Sequence, residues 1–167
     1  ELGVKVIAVE WLDRMLPLED DEASSFLTQE MARRGIAVHT STQLLSLKES
    51  ASGVVMQVRK NDETSEMRAE CVLLCTGRKP LLYAAELERL GISYDQAGIQ
   101  VNAKMMTSVP GVYAVGDVTG GMMLAHRAVC QAKVAVEDMF GGGDSIYNED
   151  AIPSVIYSHP QIARVGY

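Results

Sequence analysis

The sequence predicts an α/β protein in which a doubly wound parallel sheet carries an inserted antiparallel β-meander. One observation is a strand-helix-strand unit of the parallel kind, with a β-branched run at 4–10, an amphipathic helix, and a second run at 36–40. The other is the region that follows, where short runs at 43–48, 54–59 and 67–75 are separated only by polar turns. Consecutive strands without a helix between them pair antiparallel, so a meander interrupts the parallel sheet.

The first predicted helix has charged residues at both ends. The acidic stretch 19–22 supplies an N-cap and a negative charge that favours the start of a helix. Arg33 and Arg34, followed by Gly35, are typical of a helix end.

A longer helix is predicted at 124–140. A run of three glycines at 141–143 ends it. One side of this helix is expected to face the core; it carries Ala128, Val129, Ala132, Ala135, Val136 and Met139.

The remaining elements are short. A helix at 81–90 ends at Gly91, and strands are predicted at 99–102, 112–115 and 152–157.

Composition excludes several classes of partner. With 167 residues, 47% of them hydrophobic, the chain can bury a core. A formal charge of -7 would repel a phosphate backbone, so nucleic acid is not expected as a partner. The sequence has no apolar run of the roughly 18 residues that span a bilayer and no basic region before an apolar core. We therefore expect a cytoplasmic protein with no membrane partner.

The three cysteines do not predict a disulfide or a metal site. Cys71 and Cys75 fall on one predicted strand, and together with Cys130 they are expected to be reduced core residues. Three residues separate the first two, a spacing that disfavours a redox pair or a metal pair.

Glu10 is the first candidate ligand-binding residue. It ends the first predicted strand, at the edge where open parallel sheets bind their ligands. A carboxylate there can accept both ribose hydroxyls of an adenosine and would repel a 2′-phosphate, which favours NAD over NADP. The alternative is a solvated acid at a strand end. The glycine fingerprint that should precede such an acid by about 20 residues would fall before residue 1.

Gly116 and Asp117 form a second candidate site, because strand residues precede them, glycines follow, and a helix begins soon after. Asp117 can accept a hydrogen bond from a sugar-alcohol hydroxyl, and Gly116 keeps a Cβ out of the path of the ligand. Free N–H groups at Leu124, Ala125 and His126 would stabilise negative charge on a planar ring system. The alternative for Asp117 is a plain N-cap or turn residue.

A third candidate is Gly77 in the segment CTGRKP. The glycine allows close approach of a dinucleotide, and the proline redirects the chain. A turn without a ligand would have the same sequence.

Taken together, these stretches resemble the pyridine nucleotide-disulfide oxidoreductases, a family of Rossmann-like flavoenzymes. The resemblance covers essentially the whole chain, in the order and spacing of the family, through VKVIAVEWLDRMLP, CTGRKP, TSVPGVYAVGDV, GGMMLAH and DAIPSVIYSHPQIARVGY. Within the family, MLAH before the helix and IPSVIYSHP after it are most similar to the dihydrolipoamide dehydrogenase branch.

The resemblance implies two cofactors and their binding residues. FAD would be bound through the aspartate of the GD motif and the M-L-A-H residues, which are Asp117, Met123, Leu124, Ala125 and His126. NAD would be bound through the acid at the strand end, a branched residue opening the meander and the glycine of G-R-x-P, which are Glu10, Leu44 and Gly77.

The resemblance also implies a domain organisation. Residues 1–105 would be an NAD-binding domain without its first strand and glycine motif, 106–146 a second FAD-contacting segment, and 147–167 the start of the dimerisation domain of a homodimer. The partner would be the lipoyl-bearing acyltransferase of a 2-oxo acid dehydrogenase or glycine cleavage complex. The family's redox cysteine pair and His-Glu base have no match here, so no catalytic residue is predicted. On this interpretation the chain is an internal fragment that is inactive alone.

Two kinds of alternative remain. Glutathione reductase, mercuric reductase and soluble transhydrogenase relatives would share Gly116-Asp117 and the G-R-x-P turn, although Glu10 disfavours the NADP-dependent members. From a different class, the chain could be a nucleotide-binding module with no chemistry of its own.

Overall fold

The structure is a computed structural model that describes residues 3–141 and 143–166. Its strands and α-helices are, in chain order, β1 Ile7–Val9, α1 Asp21–Arg33, β2 Ala37–His39, β3 Gln43–Ser50, β4 Gly53–Lys60, β5 Glu63–Ala69, α2 Ala84–Leu90, α3 Ala125–Met139, β6 Ser154–Ile156 and β7 Ile162–Arg164. Two short 3-10 helices occupy Gly116–Thr119 and Glu149–Ala151. The chain forms two compact units, Glu1–Cys75 with Tyr157–Ile162, and Thr76–Ile156 with Ala163–Tyr167.

The first unit contains the predicted strand-helix-strand arrangement. β1 and β2 pair in parallel, with Ala8 opposite Val38, and α1 connects them. Asp20 caps α1, because its carboxylate accepts a hydrogen bond of 2.8 Å from the Glu22 amide. The prediction of a strand over 4–10 is wrong at its start: β1 begins at Ile7, and residues 3–6 are exposed.

The three-stranded antiparallel meander of β3, β4 and β5 is also confirmed. Its inner face is supplied by β4, on which Met56 and Val58 are buried. The predicted third strand at 67–75 is wrong, because β5 ends at Ala69. Asn61 and Asp62 both have positive φ, at 49° and 64°, and form a tight two-residue hairpin loop, so the strand begins directly at Glu63.

The earlier end of β5 overturns the prediction for two cysteines. Cys71 and Cys75 lie in a segment that has no assigned strand, and both are exposed rather than buried in the core. Cys130, on α3, is half-buried.

The second unit is built around α2, α3 and tight turns. α2 begins three residues later than predicted and ends as expected at Gly91, which has φ 71°. The predicted strands at 99–102 and 112–115 are only isolated bridges, Tyr94 to Ile99 and Met106 to Tyr113. Their amides bond to turns instead of to a neighbouring strand; the N–H of Ile99, for example, donates to the carbonyl of Val118.

α3 forms as predicted, but its predicted inner face is only partly correct: Ala135 is buried, and Ala128 and Ala132 are half-buried. Its buried residues are Arg127, Gln131, Val134 and Ala135. Val129, Val136 and Met139, predicted to face the core, are about half exposed. The cause is that the polar side chains of Arg127 and Gln131 are buried by hydrogen bonds to other parts of the chain. The spacing of hydrophobic residues does not indicate such contacts. Gly142, in the predicted glycine stop, lies outside the described residues.

The last predicted strand, at 152–157, is shorter than expected. It is reduced to β6, which forms a two-stranded sheet with β7. No helix in the part of the chain that the structure describes is long and apolar enough to cross a bilayer.

Candidate functional site

Glu10 follows β1 directly, and its backbone is fixed on both sides. Its N–H donates to the carbonyl of His39 at 2.8 Å, and its carbonyl accepts from Thr42 at 2.9 Å. Its carboxylate accepts a 2.7 Å hydrogen bond from the amide of Leu12. The half-buried Glu10 side chain therefore stays at the end of the parallel pair, followed by Trp11, which is 69% exposed. This is the position at which an open sheet presents an acid to a ribose.

Leu44 lies in the same unit as Glu10, near the start of β3. It is half-buried opposite Val58, and a bulge between Leu44 and Ser46 shifts the register of the ladder. A bulge redirects the side chains of a strand at its rim. Leu44 thus lies at the start of the first strand of the meander, as the sequence indicates.

Asp117 lies on a 3-10 turn, Gly116–Thr119, and not at the end of a strand. Its side chain is 54% exposed, so the carboxylate can meet a ligand. Gly116 is buried with φ 81°, and a Cβ there would lie 3.4 Å from the Cβ of Ala128 on α3. The glycine at this position thus serves the close packing of the turn on α3, in addition to the role predicted for it.

The start of α3 exposes amide donors. Leu124, the N-cap residue, is extended, and no side chain caps the helix within the described residues. Met123 and Leu124 are half-buried, while Ala125 is exposed. The His126 ring also has a structural contact, since Nε2 lies 2.6 Å from the carbonyl oxygen of Pro153. The predicted free N–H at Leu124 is wrong, because it donates to the carbonyl of Met122 at 3.0 Å. A helix start without a side-chain cap is suited to a group that carries negative charge.

Arg78 connects these pieces and is absent from the predicted site residues. One guanidinium nitrogen lies 3.9 Å from the Asp117 carboxylate, and the other donates to the carbonyl oxygen of Met123. Three motifs of the sequence, the G-R-x-P turn, the GD turn and the residues before α3, therefore meet within the second unit. The basic residue in CTGRKP was the available signal.

Gly77, the neighbour of Arg78, has φ 104°, a conformation that L side chains rarely adopt. A Cβ at Gly77 would have no heavy atom within 4 Å among the described residues. The glycine is therefore required by the backbone conformation of the turn and leaves one side of it open.

A buried arginine supports the start of α3. Arg127 is 5% exposed, and its Nε lies 3.0 Å from the Glu149 carboxylate and 3.1 Å from the Tyr147 hydroxyl. Burial, with a smaller effect from the hydrogen bond to Glu149, raises the pKa of Tyr147 to about 12. A buried cation requires such partners, and their removal would leave it uncompensated.

The family model for pyridine nucleotide-disulphide oxidoreductases matches residues 1–132. The chain belongs to this family. The match includes the G-R-x-P turn, the GD turn and the first turns of α3, so the pieces that Arg78 brings together are parts of one family architecture. The family match shows that the predicted resemblance is correct.

Known members of the pyridine nucleotide-disulphide oxidoreductase family align along nearly the whole chain. Dihydrolipoyl dehydrogenase of Chlorobaculum tepidum is 36% identical over 98% of this chain and 35% of its own length. The enzyme of Bacillus subtilis is 34% identical over 99% of this chain and 35% of its length. The chain thus spans about a third of the length of the curated relatives it matches.

Solved structures agree with the alignment. LpdA of Mycobacterium tuberculosis superposes with a TM-score of 0.88 at 30% identity, covering 99% of this chain and 36% of its own. The flavoprotein disulfide reductase RclA of Escherichia coli has a TM-score of 0.85 at 21% identity, covering 99% of this chain and 38% of its own, and shows the fold alone. These superpositions confirm the predicted α/β class with its Rossmann-like sheet and meander.

Proposed function

We propose that this chain is part of an FAD-dependent dihydrolipoyl dehydrogenase that passes electrons from a dihydrolipoyl dithiol to NAD. The observation that carries the proposal is the meeting of Arg78, Asp117 and Met123 at the start of α3, in a chain whose relatives carry this enzyme name. The family relationship supports flavin and pyridine nucleotide chemistry in general. The dihydrolipoyl substrate and the choice of NAD over NADP are the further parts of this proposal.

The residues near α3 fit a flavin dinucleotide. Asp117 offers an exposed carboxylate that can accept hydrogen bonds from hydroxyls of a sugar-alcohol chain. The start of α3 offers uncapped amide donors, and Arg78 adds a positive charge beside them. Met123, Leu124, Ala125 and His126 would hold the ring system through this helix start. When bound, FAD supplies the two-electron chemistry between a disulfide and a nicotinamide.

The residues of the first unit fit an adenosine ribose. The Leu12 amide holds the Glu10 carboxylate in place through one oxygen, Oε1, which leaves acceptor capacity for ribose hydroxyls. An acid at this position repels a 2′-phosphate, which supports NAD over NADP. Leu44, in the same unit, would also contact NAD. Gly77 is the NAD-binding residue proposed for the second unit.

The remaining expectations belong to the same proposal. Residues 1–105 would bind NAD, 106–146 would contact FAD, and 147–167 would begin a dimerisation domain. The enzyme would be a cytoplasmic homodimer that works with the lipoyl-bearing acyltransferase of a 2-oxo acid dehydrogenase or glycine cleavage complex. No catalytic cysteine pair or His-Glu base is assigned to this chain, so the chain alone should be inactive.

Purification of the enzyme that contains this chain tests the proposal. We expect a flavin absorbance spectrum and NAD reduction that depends on dihydrolipoamide. Asp117→Ala should lose most of the flavin on gel filtration, while Asp144→Ala, at an exposed acid of the same unit, should keep it. Activity with NADPH and glutathione disulfide, but not with dihydrolipoamide, would assign the chain to another branch of the family. A protein that binds NAD but holds no flavin and does not reduce NAD would support the nucleotide-binding module without chemistry of its own.

A further inference from the structure

The Gln131 side chain, on α3, is the most deeply buried polar group near the GD turn, with 1% exposure. Gln131 is not among the predicted FAD-binding residues, and the proposed reaction assigns it no role. Both ends of its amide bond to the turn that carries Asp117. We propose that Gln131 is a positioning residue that fixes the Asp117 carboxylate and thereby sets the affinity for FAD. The inference rests on the proposed function.

Gln131 closes a ring of three hydrogen bonds around the turn. The N–H of Gly116 donates to Gln131 Oε1 at 2.7 Å, and Gln131 Nε2 donates to Thr119 Oγ1 at 3.2 Å. The Thr119 hydroxyl in turn donates to the carbonyl of Gly116 at 2.8 Å. Each group uses its natural role as donor or acceptor, so the orientation of the amide is determined by its partners.

The Thr119 hydroxyl also ties the ring to the buried ion pair. Its oxygen accepts a second hydrogen bond, of 3.3 Å, from Arg127 Nη1. One proton donated and two accepted match the full capacity of a hydroxyl. The first and last residues of the turn are thus both attached to α3.

The other side of the turn is fixed by backbone. Gly120, with φ 70°, passes so close to Ala97 that a Cβ there would lie 2.0 Å from the Ala97 carbonyl oxygen. The N–H of Ile99 donates to the carbonyl of Val118 at 2.9 Å. The C-terminal side of the turn therefore has backbone contacts in addition to its side-chain bonds, whereas the Gly116 N–H at the N-terminal side bonds to the Gln131 side chain.

The Asp117 side chain itself is held only loosely. It is half exposed, and the Arg78 guanidinium lies 3.9 Å from its carboxylate, beyond hydrogen-bond distance. The direction of the carboxylate is consequently set by the backbone of the turn. Removing the Gln131 amide would leave the buried Gly116 N–H without its acceptor, and the turn would move to find another.

The test measures FAD affinity of the enzyme that contains this chain, after removal and re-addition of flavin. Gln131→Leu keeps the size of the side chain and removes both hydrogen bonds; we expect FAD to bind about tenfold more weakly. In an Asp117→Asn background the same substitution should change the affinity less than twofold, because the carboxylate it positions is already gone. Thr119→Val, which removes only the hydroxyl, should weaken binding in the same direction.

Val134→Ala is the matched control, since Val134 is buried on the same helix and does not bond to the turn. It should lower thermal stability without changing FAD affinity. The inference would be contradicted if Gln131→Leu reduced FAD affinity equally in the unmodified and Asp117→Asn backgrounds. It would also be contradicted if neither Gln131→Leu nor Thr119→Val changed FAD affinity. If the unmodified enzyme binds no FAD, the proposed function and this inference both fail; if it binds FAD and Gln131→Leu binds equally well, only this inference fails.

Discussion

Glu10 illustrates how one side chain can have both a structural and a ligand-binding role. Its carboxylate accepts the Leu12 amide, a contact that also belongs to the alternative of a structural acid at a strand end. The two roles are compatible because a carboxylate has about four acceptor positions and the Leu12 amide occupies one. NAD affinity distinguishes them.

We therefore predict that Glu10→Ala in the enzyme that contains this chain weakens NAD binding by about 1–3 kcal/mol, the usual cost of leaving buried polar groups without a partner. FAD content should not change. Isothermal titration with NAD and with NADP measures the effect. Asp13→Ala, at an exposed acid of the same loop, is the control and should bind NAD normally. Unchanged NAD affinity, or equal changes for NAD and NADP, would remove the ribose assignment.

Arg78 and Arg127 show which residues sequence patterns miss. Arg78 lies in the CTGRKP motif, and Arg127 directly follows the MLAH motif. The role of each depends on a partner far along the chain, which is Met123 for Arg78 and Glu149 for Arg127. Motif spacing identifies glycines and acids well, because turns and ligands need them locally. It does not identify side chains whose contacts form only after folding.

Among the elements, α3 links turns at both of its ends. At the C-terminal end, Asp138 accepts hydrogen bonds from Lys104 at 2.8 Å and from the Tyr113 hydroxyl at 2.7 Å. The hydrogen bond from Lys104, followed by that from Tyr113, lowers the pKa of Asp138 below its ordinary value of 3.8. Because the folded-state pKa is the lower one, the carboxylate stabilises the fold above that ordinary value, and the contribution is lost as the pH falls below it.

We predict that Asp138→Asn lowers the thermal unfolding temperature at neutral pH and that its difference from the unmodified protein shrinks as the pH falls below the ordinary aspartate value. Thermal unfolding followed by circular dichroism over a series of pH values measures this. Glu137→Gln, at the preceding acid of the helix, is the control and should show no such convergence. A difference that stays constant down to the lowest pH would mean that Asp138 acts through packing and not through its charge.

The elements that the sequence predicts best are those with local signals. Asp20 and Gly35 bound α1, and Gly91 ends α2, as caps and left-handed glycines require. The third strand of the meander is predicted too late in the chain. Most residues of β5 are polar and exposed, whereas the apolar run at 71–75 has the composition of a strand. The predicted inner face of α3 is only partly correct for a related reason, since Gln131 and Arg127 are buried by their polar partners and not by hydrophobicity.

At the scale of the whole molecule, the apolar segment at 71–75 is the main liability of the chain by itself. Leu73 is 87% exposed and Leu74 is also exposed, in a segment without an assigned strand. Exposed apolar segments tend to associate with other chains. We predict that the chain alone self-associates, that Leu73→Lys with Leu74→Lys reduces the association, and that it binds neither cofactor tightly.

Sedimentation of the chain alone measures this prediction. Leu81→Lys, at an exposed leucine outside the segment, is the matched control and should leave the association unchanged. A well-behaved monomer with micromolar NAD affinity would contradict the prediction and the interpretation of the chain as part of a larger enzyme. Equal relief by Leu81→Lys would assign the association to general surface hydrophobicity.

The chain contains a single tryptophan, Trp11, and it is exposed immediately after the acid proposed to bind ribose. Indole emission responds to nearby polar groups and transfers energy to a reduced nicotinamide. One native side chain can therefore act as a fluorescence reporter for occupancy of the nucleotide side, without any label. Experiments on this chain and on its Glu10 variants can follow titrations by the light that the molecule itself emits.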